Sequence, residues 1–114
     1  VWLELEHKYR PWIDFDNLPF YGRGAGWQRQ LHIYECPFYY IDYCLSTMAA
    51  LQFFLLSLKD HKDAWARYLR LVRRAGLASY TELCETAGLK VPFTDGSIKA
   101  IAQQMAQWIA EHQV

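Results

Sequence analysis

The sequence has no excess of either charge: twelve Lys and Arg balance twelve Asp and Glu over 114 residues. A nucleic-acid-binding domain normally carries a basic surplus, so no nucleic-acid partner is expected. There is no C-x-x-C pair, and the three cysteines (Cys36, Cys44, Cys84) are odd in number. They read as reduced, buried thiols of a cytosolic protein rather than as a disulfide framework or a zinc site, which sets the expected location as cytoplasmic. No run reads as a strand. The longest uncharged stretch, Tyr43 to Leu58, is shorter than a membrane span and contains Ser46, Thr47, Gln52 and Ser57, so a buried core helix is expected there and no membrane contact. The opening "VWLELEHKYR" is charged where a signal peptide would be apolar. Its helical pattern without an initiator methionine leads us to expect a fragment of a larger protein.

Apolar residues, by contrast, are abundant. Hydrophobic residues make up 53% of the chain and aromatics 17%, which excludes disorder and predicts one folded domain over residues 1–114. The periodicity predicts an all-α fold of four to five helices. Val1 to Tyr9 is helical, with Trp2, Leu5 and Tyr9 on one face and Glu4, Glu6 and Lys8 elsewhere, until Pro11 stops it. A long loop follows over residues 10–26. A central helix is expected from Pro37, whose missing N–H suits a first turn, to about Lys59; a start near Trp27 with a kink at Pro37 is the alternative. Asp60 or Asp63 caps the next helix, which runs to about Ala75 before Gly76. The S-x-x-E box at Ser79–Glu82 opens a short helix closed by Gly88. Pro92 and Asp95-Gly96 turn the chain into a last helix, started by Asp95 or Ser97 and ending near His112.

Two patterns invite a ligand and are read more plainly. The glycines of "GRGAG" lack the G-x-G-x-x-G spacing, a preceding strand and a following Lys-Ser/Thr, so they predict a flexible loop. Arg67, Arg70 and Arg74 share one side of a helix, which predicts a solvated face near the helix C-terminus rather than a phosphate site.

The stretch "QLHIYECPFYYIDYC" is harder to read as packing alone. Between His32 and Tyr43 lie one imidazole, four phenols (Tyr34, Tyr39, Tyr40, Tyr43), Glu35 and Asp42. Each phenol needs a hydrogen-bond partner once buried, and a core helix has no need of four.

W-x-R-x-x-H at Trp27, Arg29 and His32, followed by "PFYYIDY" from Pro37 to Tyr43, resembles the C-terminal region of the oligoendopeptidase F-like zinc peptidases, relatives of thimet oligopeptidase. The later "AGLASYTELCETAGLKVPFTDGSIKAIAQQMAQWI" resembles the closing segment of that family. The resemblance implies a fragment of a larger, mostly helical zincin-type oligopeptidase acting on short peptides. The family's zinc is held by an H-E-x-x-H helix and a later glutamate. This chain has no H-E-x-x-H, so the resemblance places the zinc ligands in an upstream lobe of the same polypeptide and no metal ligand here. It assigns His32 and downstream tyrosines to the cleft wall that stabilises the tetrahedral intermediate. A preorganised donor facing a developing oxyanion contributes about 2.7–4 kcal/mol in comparable sites.

Many members of the family have tyrosine where Ile41 stands in an ungapped match, which leaves the catalytic phenol open. On a helix, Tyr39 and Tyr43 would share a stripe and Tyr40 would lie about 100° away. His32 with Tyr39 or Tyr40 is favoured as catalytic. Tyr43 ranks third and, with Tyr34, is a candidate for binding substrate. The parent is expected to be the active zinc enzyme and the isolated chain inactive, its uncovered face prone to self-association. The competing reading is a free-standing helical module that binds a partner protein or peptide.

Overall fold

The computed structural model describes residues 1–112 and, among them, contains only helices, turns and loops. Six α-helices follow one another: α1 (Trp2–Tyr9), α2 (Leu31–Glu35), α3 (Ile41–Lys59), α4 (His61–Arg74), α5 (Tyr80–Ala87) and α6 (Ser97–His112). All but the five-residue α2 are at least eight residues long, so the all-α expectation holds. The chain forms two compact units, Val1–Ile41 and Asp42 onward.

In the first unit, α1 ends at Tyr9 and is capped by Arg10, immediately before Pro11. Its buried residue is Glu6, which sequence periodicity assigns to a polar face. The reason is a local ion pair. Arg10, one turn on, bonds the Glu6 carboxylate, and its guanidinium lies 5.4 Å from the centre of the Phe15 ring. Phe15 is itself buried, against Tyr21. Residues 10–26 contain no α-helix, only a 3₁₀ turn at Tyr21–Arg23 and the start of another at Gly26–Arg29. Two of the three glycines there, Gly22 and Gly26, lie in close contact with their surroundings. A Cβ on Gly22 would stand 2.8 Å from the Asp16 carbonyl oxygen, and one on Gly26 would stand 2.9 Å from the Trp2 indole nitrogen.

The second unit is assembled from local signals that work as read. The Asp60 carboxylate accepts the Asp63 N–H at 3.0 Å and caps α4. Ser79 and Glu82 form the reciprocal capping box, and their hydrogen bonds hold the Glu82 carboxyl below the usual range. Gly88 closes α5 at φ +68°. Cys84, Ala87 and Leu89 are buried against Ala49, Phe53 and Leu56 of α3, Leu71 of α4, and Tyr80 and Val91. The Tyr80 hydroxyl donates to the Leu45 carbonyl at 2.9 Å, and burial raises its pKa. The ring of Trp108 on α6 meets Phe54 edge-on at 4.9 Å.

The arginine stripe is solvated at Arg70 and Arg74, as expected, and it has a structural task as well. Arg67 donates to the Ala87 carbonyl and Arg70 to the Thr86 carbonyl, while Arg74 reaches the Thr86 hydroxyl. The unsatisfied carbonyls at the end of α5 therefore meet cations from α4, where the helix dipole favours them. Gly88 suits this position because its φ is left-handed.

Two further expectations are corrected. Cys36 and Cys44 are exposed, and Cys84 alone of the three is buried. Helix α3, expected to be a buried core helix, buries fully only Gln52. By length and composition it meets the criterion for a membrane span, with a mean hydropathy of 1.5 over its best window, yet a core helix of a larger protein passes the same test. Its polar anchor is unlike a lipid-facing segment. Gln52 donates to the Lys90 carbonyl at 3.0 Å and accepts the Lys90 N–H at 2.8 Å, completing both backbone groups at once.

Replacing Gln52 by Leu removes both bonds while keeping the volume roughly constant. Lys90 is exposed and both bonds are only part-buried, so each counts as an ordinary hydrogen bond, about 0.5–1.5 kcal/mol. Gln52→Leu is therefore expected to lower unfolding stability by about 1–2 kcal/mol in urea titration, although it makes α3 more hydrophobic. An unchanged or raised midpoint would remove the pairing from the account of the fold.

Candidate active site: an imidazole between two tyrosines

The first unit places His32 on the short helix α2, where it is half-buried. The chain then does something a continuous helix does not allow. Cys36 precedes a proline, where the α conformation is disfavoured, and it adopts φ −139°, ψ 70°. The Tyr39 N–H returns to the Cys36 carbonyl at 3.2 Å. Between them, Pro37 is followed by Phe38 at φ +70°. Proline at the second position and positive φ at the third are the marks of a type II turn. Phe38 is the one non-glycine residue with positive φ among the described residues, a conformation that costs an L-residue about 1–2 kcal/mol.

This turn delays the central helix to Ile41, four residues after the Pro37 start expected from sequence. Tyr39 and Tyr40 consequently lie in the turn rather than on α3, and a helical stripe shared with Tyr43 does not exist. The outcome is an arrangement in which both adjacent tyrosines meet the same imidazole. The Tyr39 ring stacks on His32 at 5.9 Å between centroids with 13° between planes. The Tyr40 ring stands against it edge-on at 4.9 Å and 68°. Each tyrosine is about half exposed, at 49% and 51%. The choice between Tyr39 and Tyr40, forced by helix geometry, is thereby dissolved: the turn presents both.

The substrate-binding candidates fall elsewhere. Tyr34, on α2, is exposed and stacks on Trp27 at 6.4 Å and 24°. Trp27 belongs to the W-x-R-x-x-H pattern, and its spacing of seven from Tyr34 was the signal available for this pair. Tyr43 belongs to the second unit, in the first turn of α3, where its carbonyl accepts from the hydroxyls of Ser46 and Thr47. Among the described residues, no three of His, Cys, Asp and Glu come together as a metal site. The chemistry on offer is therefore that of donors and rings. An imidazole N–H and phenol O–H groups on one wall can face a carbonyl oxygen that is acquiring charge.

Two solved structures resemble the chain over nearly all of its length. One is an oligoendopeptidase F, with 38% identity and a TM-score of 0.86; the match covers 96% of this chain and 19% of that protein. The other is PZ peptidase A, determined with an inhibitor, with 41% identity and a TM-score of 0.87, covering 96% of this chain and 20% of that one. No protein-family model and no curated protein matches the chain. The chain spans about a fifth of the length of the two peptidases it matches. At that identity and over that coverage, the resemblance to the oligoendopeptidase F-like peptidases holds in both sequence and fold.

Proposed function

We propose that this chain is the C-terminal segment of a cytoplasmic zinc oligoendopeptidase, in which it forms the wall of the cleft that receives short peptides. The observation that carries the reading is the contact of Tyr39, stacked, and Tyr40, edge-on, with His32 within a segment 38–41% identical to peptidases. That likeness favours the peptidase over a free-standing interaction module. In this reading the parent's zinc is held in an upstream lobe of the same polypeptide, which is supported by the resemblance to the zinc peptidases and by a sequence without H-E-x-x-H.

This chain's own part is electrostatic. Attack on a peptide carbonyl moves a full charge onto its oxygen. His32 and a phenol donate hydrogen bonds that strengthen as that charge grows, which lowers the barrier more than it tightens substrate binding. The stacked rings hold the donors in place before the reaction, so little reorganisation is needed at the moment of charge transfer. Tyr34 is assigned to the substrate backbone.

The isolated chain is expected to cleave no peptide and to hold no stoichiometric zinc. Metal analysis after chelator-free purification checks this. One zinc per chain together with measurable cleavage would overturn the placement of the ligands upstream.

In the full-length parent, His32→Ala is expected to lower kcat about a hundredfold or more with little change in KM, the pattern of an interaction formed mainly in the transition state. Steady-state kinetics on a short quenched peptide reads it directly. A change confined to KM would reassign His32 to substrate binding.

Tyr39→Phe and Tyr40→Phe separate hydroxyl from ring. Each keeps its ring contact with His32, so melting temperature is expected to move little. The variant that loses the oxyanion donor should drop in kcat by about two orders of magnitude. If both keep native turnover, the tyrosines serve only to pack the imidazole.

A further inference from the structure

The first turn of α6 holds polar groups that the fold does not use. The helix begins at Ser97, whose N–H donates to the Thr94 carbonyl at 3.1 Å. The Ala100 N–H then bonds back to the Gly96 carbonyl at 3.0 Å. Ile98 and Lys99 lie between, and their N–H groups belong to the donors that a helix start leaves without an intrahelical acceptor. Every helix has such donors, but Ser97 adds to them here. The residue is 6% exposed, and its Oγ has no hydrogen-bond partner among the described residues. Buried hydroxyls are normally satisfied. Ser97 borders a cavity of about 400 Å³ together with Lys90, Val91, Thr94, Asp95 and Gly96. Lys90 forms no ion pair among the described residues, and both its backbone groups are held by Gln52.

We propose that this cavity takes a small oxyanion, a carboxylate or phosphate group, held by the Ser97 hydroxyl, the N–H groups of Ile98 and Lys99 and the Lys90 ammonium. The donors set the class. The positive end of the α6 dipole favours negative charge at the same place and repels a cation. A water molecule could satisfy Ser97, but it leaves the lysine and the dipole unused. Asp95 is the one acidic side chain on the cavity. Its charge opposes the anion, so binding is expected in the millimolar range rather than tighter. The proposal is independent of the peptidase reading. Its oxyanion comes either from solution or from an acidic side chain of the parent polypeptide.

The test titrates this chain, labelled with nitrogen-15, with inorganic phosphate and separately with acetate, at constant ionic strength. The expected result is saturable movement of the Ser97, Ile98 and Lys99 amide signals. Lys90→Met should weaken the binding about tenfold, as loss of a charged donor does. It leaves the backbone bonds to Gln52 in place, so the fold is retained. Ser97→Ala should weaken it as well. Signals that drift linearly to the highest concentration, or that saturate equally in Lys90→Met, overturn the proposal and leave a bound water or bulk screening at the helix start. The same titration of the full-length parent, read as melting temperature, separates the two sources. A rise with phosphate that Lys90→Met abolishes identifies a free anion. No rise in the parent, beside saturable binding by this chain, identifies an acidic side chain of the parent as the occupant.

Discussion

The Pro37–Phe38 turn governs the architecture of the candidate site. Proline fixes one φ and disfavours helix at Cys36 before it; Phe38 in the left-handed region prevents helix from resuming at once. These two effects stop α2 at Glu35 and hold α3 back to Ile41. On an uninterrupted helix, consecutive side chains diverge by about 100°, and on a strand they point to opposite faces. A turn is the local geometry that lets two neighbouring tyrosines meet one imidazole. The cost of the left-handed conformation at Phe38 is of the order of a single hydrogen bond, and a helical conformation there would separate Tyr39 and Tyr40 from their shared contact with His32.

Burial follows a different rule in the second unit. A helix as apolar as α3 would normally bury its side chains, yet only Gln52 is fully enclosed, while Ile41 and Leu58 are exposed. The contradiction resolves when the span of the chain is considered, since it corresponds to about a fifth of the peptidases it resembles. On the proposed reading, this apolar surface faces the rest of the parent polypeptide. The polar contacts are then what fix its position here. Gln52 pairs with both backbone groups of Lys90, and three arginines of α4 close the C-terminus of α5. These bonds are directional, so they set how α3, α4 and α5 are placed where hydrophobic contact alone would let them slide.

Features encoded within four residues were legible in the sequence. Asp60, the Ser79–Glu82 box, Gly88 and the Pro11 stop each work through a neighbour a turn away, and each functions as read. What failed depended on contacts across the chain. The buried position of Glu6 depends on the Arg10 guanidinium lying over Phe15; the need for glycine at positions 22 and 26 depends on Asp16 and Trp2. Pro37 was ambiguous for a different reason. Proline suits both the first turn of a helix and the second position of a type II turn, and the residue that decides between them, Phe38, has no local preference for the conformation it adopts.

That ambiguity bears directly on the reading of the tyrosines. A helical assignment makes Tyr39 and Tyr40 exclusive alternatives and ties Tyr39 to Tyr43. The turn reverses both conclusions: Tyr39 and Tyr40 share His32, and Tyr43 belongs to a different unit. The two contacts are also unequal. Tyr39 lies parallel to the imidazole, which fixes the ring plane, while Tyr40 meets it edge-on and limits its rotation within that plane. Two constraints at a large angle orient a ring more completely than two of the same kind. An imidazole so held keeps its N–H vectors fixed as charge develops nearby, and that fixed orientation is what an electrostatic contribution to catalysis requires.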